Sequence, residues 1–307
     1  MQHASEASGR SLTAAWLGVV LIWSTTPLAI QWSAVGAGWI FSIASRMAIG
    51  AAIFLAIFLL KRDKAFLKGE GRTAAIITAL GIYTNMMLVY WAAQFVPSGL
   101  IAVIFGLSPI ATALWSLAIL HNERMTLPGV VGVGLGVFGL WLVFGGGDNL
   151  SSAGIPGIAA VTGAMAAQCL VAVLLKRLGT RQSSLTMTGG GVVYGSILFI
   201  ASWWWMGAPL PQHEVETKAI AAIIYLGVAG SVVGFLMYFW LLRRVSPIRL
   251  SLVTLITPVT GLLLGQWLNN EVLPEQVWMG VLLILVGLGV YQFGDWKRLS
   301  DERRASA

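Results

Sequence analysis

Apolar residues run through this chain in blocks, not in alternation. The stretch from Ala51 to Leu60 reads Ala-Ala-Ile-Phe-Leu-Ala-Ile-Phe-Leu-Leu, with no polar residue at all. A membrane-barrel strand would alternate apolar and polar positions over about 10 residues. An apolar run of about 20 residues spans a bilayer as a helix, and within lipid only helices or closed barrels satisfy every backbone polar group. Ten such runs predict ten spans: Leu12–Ile30, Trp39–Leu60, Thr73–Phe95, Pro97–Leu120, Pro128–Gly145, Ile155–Leu175, Leu185–Trp205, Ala219–Leu241, Pro247–Leu268 and Gln276–Phe293. Pro97, Pro128 and Pro247 fall at helix starts, where a missing N–H costs little. The first ten residues hold no apolar stretch of their own, so no separate cleaved signal peptide is expected.

Composition agrees. Of the 307 residues, 57% are hydrophobic and 10% charged, against about 25% charged in soluble domains. The expected class is an all-α, multi-pass membrane protein. The single cysteine, Cys169, excludes an intramolecular disulfide and reads as a small buried hydrophobe.

The net charge of +7 would suit an acidic partner, but its placement points elsewhere. Of the 19 Lys and Arg residues, 17 fall in the tails and in alternate loops on one side of the ten spans. Lys218 alone falls on the other side, and Arg46 lies inside a span. Such a bias marks the cytoplasmic side. It predicts both termini in the cytoplasm and leaves no call for nucleic-acid binding.

A weak internal repeat organises the spans. Gly81, Trp91, Val96 and Pro109 recur 149 positions later as Gly230, Trp240, Val245 and Pro258. After a one-residue slip, Glu123, Gly132 and Gly139 recur 148 positions later as Glu271, Gly280 and Gly287. The chain divides into a tail at 1–11, a first repeat at 12–147, a second at 148–294 and a tail at 295–307. Five spans per repeat place the second upside down relative to the first, the layout of many secondary transporters. Glu123 and Glu271 would then face opposite compartments.

These features carry a family resemblance. Ten spans in two halves, Trp23-Ser24 in the first span, Arg46 in the second, and a Pro…Glu-x8-Gly-x6-Gly tract closing each half resemble the EamA branch of the drug/metabolite transporter superfamily. The resemblance runs from about Leu12 to Phe293. It implies an inner-membrane permease or exporter of amino acids or similar small metabolites; relatives of similar architecture include aromatic amino-acid exporters. It also implies a central pocket between the halves, lined by spans 1, 3, 4, 6, 8 and 9. Two departures stand out. The second half has no counterpart of Arg46, and span 6 offers Gln168 and Cys169 where a tryptophan often stands opposite Trp23.

Chemistry beyond transport finds little footing. His3, His121 and His213 are terminal or in loops, and no Ser/His/Asp set, metal cluster or P-loop is present, so neither an enzyme nor a metal or cofactor is expected. Gly189-Gly190-Gly191 lies in an apolar span and reads as close helix packing. Proton-coupled carriers usually expose an acid or histidine within the membrane; here Glu123 and Glu271 lie at helix ends, where they are expected to orient those ends and bond to nearby backbone. A cationic-drug antiporter is disfavoured for the same reason.

Arg46 is the one charge well inside a span. Two roles are open to it: a structural one, bonded to backbone or snorkelling outward, and a functional one, holding a substrate carboxylate or gating the outer path. Tyr83, Met87, Tyr90 and Gln94 form one stripe on span 3, facing either neighbouring helices or a cavity. Tyr90-Trp91 matches Phe239-Trp240 in the repeat, with Tyr238 adjacent. Trp23, Ser24, Thr25, Asn85, Gln168, Ser108 and Thr257 complete the candidate contacts, with Tyr83, Tyr90, Tyr238, Trp240 and Arg46. Trp32, Trp39, Trp203, Trp204, Trp205 and Trp296 read as interfacial belt residues. Pro27, Pro109 and Pro258 break their spans internally and are candidate hinges; Pro109 and Pro258, as repeat mates, should bend alike. Gly132, Gly136 and Gly139, with Gly280 and Gly287, read as packing faces within the protein or between protomers.

The leading expectation is export of amino acids or similar metabolites by alternating access, by a monomer or weak dimer in the bilayer. The alternatives are an ion-coupled importer or antiporter of another metabolite, and, from another class, a non-transporting membrane scaffold or enzyme.

Overall fold

The structure is a computed structural model that describes residues 9–120, 126–145, 154–179, 182–208, 210–211, 214–242 and 247–305. Glu123, the histidines at 121 and 213, and the basic residues at 124, 243 and 244 lie outside these, as do the side chains of Phe239 and Trp296. The described chain is helical throughout: α1 (Gly9–Ala34), α2 (Trp39–Lys61), α3 (Gly69–Ala92), α4 (Ser98–Gly106), α5 (Ser108–Ile119), α6 (Leu127–Gly145), α7 (Gly154–Leu178), α8 (Ser184–Trp205), α9 (Thr217–Tyr225), α10 (Gly234–Leu242), α11 (Pro247–Asn269) and α12 (Glu275–Ala305). A π-helical segment, Leu226–Val233, joins α9 to α10. Among the described residues seven helices are long and apolar enough to cross a membrane, and the bent pair α4–α5 makes an eighth. The chain is a multi-pass membrane protein.

Besides span 8, which carries the π segment, span 4 departs from a simple helix. Span 4 breaks into α4 and α5, bent by 40°. The cause is local: Pro109 has no N–H for the Phe105 carbonyl, and the Ser108 hydroxyl donates to that carbonyl instead. Pro258, the repeat mate, sits inside α11 without interrupting it. Its ring fills the space over Gly106, where an added Cβ would stand 2.6 Å from the Pro258 Cγ. The two prolines therefore do not bend their helices alike, and Pro27 likewise lies inside an unbroken α1. α12 continues past the expected tail boundary at 295 to Ala305.

The glycine faces pair within the protein. A Cβ on Gly132 would stand 2.5 Å from the Gly287 carbonyl oxygen, and one on Gly139 would stand 2.6 Å from that of Gly280. Gly280 and Gly287 meet Gly139 and Gly132 in return, at 2.6 and 2.7 Å. α6 and α12 are therefore antiparallel and in backbone contact. The pairing also exchanges repeat mates: the Gly132–Gly287 contact maps onto Gly280–Gly139.

Packing around this pair follows the same exchange. α3 packs on α7 and α8, while α9, the π segment and α10 pack on α1 and α2. α4 crosses α11, and α2 crosses α8. At Gly189, Gly190 and Gly191 added Cβ atoms would stand 2.7 Å from Phe54, 2.7 Å from Ala75 and Phe66, and 2.5 Å from Thr78. The triple glycine is thus the face on which α2 and α3 close against α8. The long helices bury one face and leave large apolar side chains exposed on another, such as Phe138 and Trp141 on α6; in a bilayer the Phe138–Trp141 face meets lipid.

Candidate functional site

α1 carries the densest set of candidate contacts. The Trp23 ring lies 4.9 Å from that of Tyr238 on α10, tilted by 36°. The next two residues diverge. Ser24, buried, pairs its hydroxyl with Thr260 on α11. Thr25 pairs with the Tyr225 hydroxyl at 2.5 Å and donates to the Leu21 carbonyl at 2.8 Å. Three successive side chains thus tie α1 to three parts of the second half. Trp240 packs with this group against Val19, Val20 and Leu241.

Arg46 is 2% exposed. Its Nε donates to Ser231 Oγ at 3.0 Å, and Nη1 approaches Met86 Sδ at 3.8 Å. Ser231 Oγ in turn donates to the Leu226 carbonyl at 3.0 Å, so its lone pairs face the arginine. The guanidinium from α2 is therefore seated between α3 and the π segment. The segment gives it room: a Cβ at Gly230 would stand 3.2 Å from Nη2. Among the described residues no carboxylate pairs with it, and neither partner carries charge. A sulfur is a weak acceptor, so most of the guanidinium's donor capacity is unspent.

The stripe on α3 does not act as a unit. Tyr83 packs its ring on Phe199 at 5.0 Å and bonds Ser202 at 2.6 Å, both on α8. Gln94 is exposed and bonds the Trp91 carbonyl at 3.0 Å. Trp91 is exposed and meets Phe95 edge-on. Tyr90 is fully buried, with its hydroxyl unpartnered. The predicted aromatic wall of Tyr90-Trp91 is thus absent; Trp91 points outward and Tyr83 fastens α3 to α8.

Asn85 stands on the other side of α3. Its Nδ2 donates to the Ala164 carbonyl on α7 at 2.9 Å, and its Oδ1 is buried without a partner. Gln168 lies one turn along α7 from Ala164. It is exposed, although Gly157, Val161 and Ala164 on the same arc are buried. Ala172, one turn further, is exposed too. Gln168 and Ala172 thus mark the point where a buried arc of α7 becomes exposed. On α1 the pattern repeats: Leu17 and Leu21 are 54% and 63% exposed, while Ser24 and Leu28, further along the same face, are buried. Cys169 turns away and donates to the Ser108 carbonyl at 3.4 Å; Ser108 is spent at the α4–α5 break.

Some residues of the site carry no signal of their own in the sequence. Tyr225, Thr260, Ser231 and Met86 are defined by partners far away in the chain. Gln31, Trp32 and Asn269 form a second cluster at the far end of α1. Gln31 donates to the carbonyls of Ala93 and Val96 at 3.3 and 2.8 Å. Asn269 donates to Gln31 Oε1 at 2.9 Å and to Glu271 Oε1 at 3.0 Å, and accepts from Trp32 Nε1 at 3.1 Å. Trp32 is thus a bonded member of this cluster, with Lys218 Nζ 3.9 Å from its ring centroid; Trp204 and Trp205 are the exposed pair at the end of α8. Glu271 accepts from Ser98 N and Oγ and from Gly99 N, at 2.8, 2.6 and 3.0 Å. It caps the start of α4, where backbone N–H groups are otherwise unpaired and the helix dipole favours an anion. Among the described residues no three His, Cys, Asp or Glu side chains gather as a metal site would require.

Comparison with known proteins agrees with this architecture. The sequence profile of the EamA-like transporter family matches residues 12–145 and again 155–291, and the chain belongs to that family. It is 28% identical over 258 residues to the inner membrane transporter YedA of Escherichia coli, covering 80% of each chain. It is 25% identical to the transporter YoaV of Bacillus subtilis, covering 90% of this chain and 95% of that one. It is 26% identical to an S-adenosylmethionine/S-adenosylhomocysteine transporter of Chlamydia trachomatis, covering 87% and 84%. A protein of known crystal structure shares the fold with a TM-score of 0.65 at 20% identity, covering 92% of this chain and 98% of that one.

Proposed function

We propose that this EamA-family chain is a secondary transporter of the inner membrane that exports amino acids or similar small metabolites. Ten spans in two inverted halves, with both termini cytoplasmic, would enclose a path lined by α1, α3, α4, α7, the α9–α10 region and α11. The exchange of repeat mates across α6 and α12 supports the inverted arrangement, and the charge bias supports the orientation. No nucleotide site is expected, so a solute or ion gradient drives the cycle between outward- and inward-facing forms.

The observation that carries the substrate reading is Arg46. A buried charge in a membrane span costs about 2.5–3.5 kcal/mol on insertion scales, and here only a hydroxyl and a thioether offset it. A substrate carboxylate supplies the missing counter-charge, in the bidentate geometry that a guanidinium favours. Trp23 and Tyr238 offer aromatic faces, and Asn85 and Gln168 offer amide groups. Together they suit an amphipathic zwitterion. A net cation meets only the positive end of this set.

Counterflow in proteoliposomes tests the proposal. Vesicles loaded with unlabelled amino acids, S-adenosylhomocysteine or a cationic drug are offered the labelled compound outside. Accumulation is expected for a carboxylate-bearing zwitterion and not for the drug. Accumulation of the cation alone would refute the substrate reading, and no counterflow with any compound would favour a scaffold. The same flux with and without a proton gradient separates a facilitator from a coupled carrier.

A further inference from the structure

We propose that Glu271 is the latch that holds the outer end of the transport path shut. The inference rests on the alternating-access reading above. The cluster around Glu271 joins three separate parts of the chain. Gln31 and Trp32 belong to α1, Ala93 to Gly99 lead from α3 into α4, and Asn269 to Glu271 follow α11. Every link is a hydrogen bond between groups more than 60 residues apart in sequence, apart from the Asn269–Glu271 contact that orients the carboxylate. The Glu271 amide also donates to the Gly265 carbonyl at 3.1 Å, which fixes the turn that presents the side chain. A Cβ at Gly265 would stand 2.4 Å from Glu271 Oε2, so only a glycine lets the carboxylate lie flat across α11.

The opposite end of α1, and of α7, looks different. Leu17 and Leu21 on α1, and Gln168 and Ala172 on α7, are exposed on faces that are buried nearer Glu271. The helices are thus drawn together at the Glu271 end and parted at the end that carries Lys176 and Arg177. With the basic end cytoplasmic, this is an inward-facing form, closed outside by the Glu271 cluster. Opening outward requires the carboxylate to release two backbone N–H groups and the Ser98 hydroxyl together. The sequence repeats the carboxylate as Glu123, but the residue matching Ser98 is Pro247, which has no N–H. A second copy of this cap would lack both donors that Ser98 supplies, its N–H and its hydroxyl, so the outer closure is the stronger one.

Distances between spin labels read the latch directly. Val35 and Val272 are exposed on either side of the cluster; labels at Val35→Cys and Val272→Cys, in a Cys169→Ala background, report the outer gap in the full-length protein in nanodiscs. The unmodified latch should give mainly a short distance. Glu271→Gln keeps the shape and removes the charge, and should raise the ratio of long to short distances by about tenfold, the weight of one charge-assisted hydrogen bond. Asn269→Ala removes the links to Gln31, Trp32 and Glu271, and Gln31→Ala those to Ala93, Val96 and Asn269; they give the same readout if Glu271→Gln fails to fold. Labels at the exposed Leu60 and Leu127 should show no matching lengthening. An outer distance unchanged in all three folded variants overturns the latch, even if counterflow proceeds. A counterflow failure with a responsive outer gap overturns the transport reading and leaves the latch standing.

Discussion

Replacing Arg46 separates its two roles, because stability and transport should respond with different sizes. Arg46→Gln keeps a donor within reach of Ser231 Oγ and discards the charge. The stability terms nearly cancel. Losing a charged hydrogen bond to Ser231, now 3.0 Å long, costs about 1.5–3 kcal/mol. Removing an uncompensated charge from a buried site returns about 2.5–3.5 kcal/mol. The net change should stay within about 2 kcal/mol, a small shift in thermal midpoint. Transport has no such offset. Truncating one partner of a buried charge pair costs about 2–5 kcal/mol, which is roughly thirtyfold to a few thousandfold in apparent affinity.

The assay is counterflow of the zwitterion found for the unmodified protein, with thermal unfolding in the same detergent as the stability control. Arg46→Lys keeps the charge and loses the fork, so it should fall between the two. A stable Arg46→Gln protein that transports at the normal rate would refute the substrate role. A variant too unstable to purify, rescued by a second-site stabiliser with full transport, would make Arg46 a strut for the π segment.

Other perturbations follow from single contacts. Gly139→Ala places a methyl 2.6 Å from the Gly280 carbonyl; backbone cannot yield as a side chain does, so unfolding should come earlier by about 1–3 kcal/mol, while Gly134→Ala, which meets nothing within 4 Å, should not lower the midpoint and should raise it slightly, since alanine is the better helix former. Ser108→Ala strips the donor from the Phe105 carbonyl and should cost about 1–3 kcal/mol in a chemical-denaturation series, without preventing assembly. Tyr83→Phe loses the bond to Ser202 and should lower stability by about 1 kcal/mol with the transport rate of the folded fraction intact; a large selective loss of transport would return Tyr83 to the pocket.

Most of the helical plan was legible because a bilayer span is a matter of length and hydropathy. The second span was expected at Trp39–Leu60 and runs Trp39–Lys61. Breaks were less legible. Pro109 and Pro258 look equivalent in sequence, yet one ends a helix and the other does not. What the sequence does not announce is the neighbour: Gly106 offers the Pro258 ring a notch. The π segment was invisible because Leu226–Val233, rich in glycine and valine, suits an ordinary buried helix equally well. Partners of polar residues were the least legible. Ser24 and Thr25 are adjacent in sequence, but their hydroxyls go to Thr260 and Tyr225, more than 190 residues away. Tyr83 shares a stripe with Tyr90 by periodicity, and only the position of α8 decides that it faces Ser202.

The glycines of α6 and α12 show why the symmetry matters to mechanism. Each glycine touches the repeat mate of the other glycine on its own helix, as a pseudo-twofold axis between the two helices would require. That contact is backbone on backbone, too tight to slide without separating; it can serve as the fixed pivot of a rocking motion. The polar clusters off the axis are where the halves differ. Arg46 has no counterpart, and the cap built by Glu271 on Ser98 has only a proline at the matching place. A perfectly symmetric carrier would have inward- and outward-facing forms of equal energy. On the alternating-access cycle proposed above, breaking the symmetry at Arg46 and at the Glu271 cap, and not at the α6–α12 contact, would bias one form while leaving the exchange between them possible.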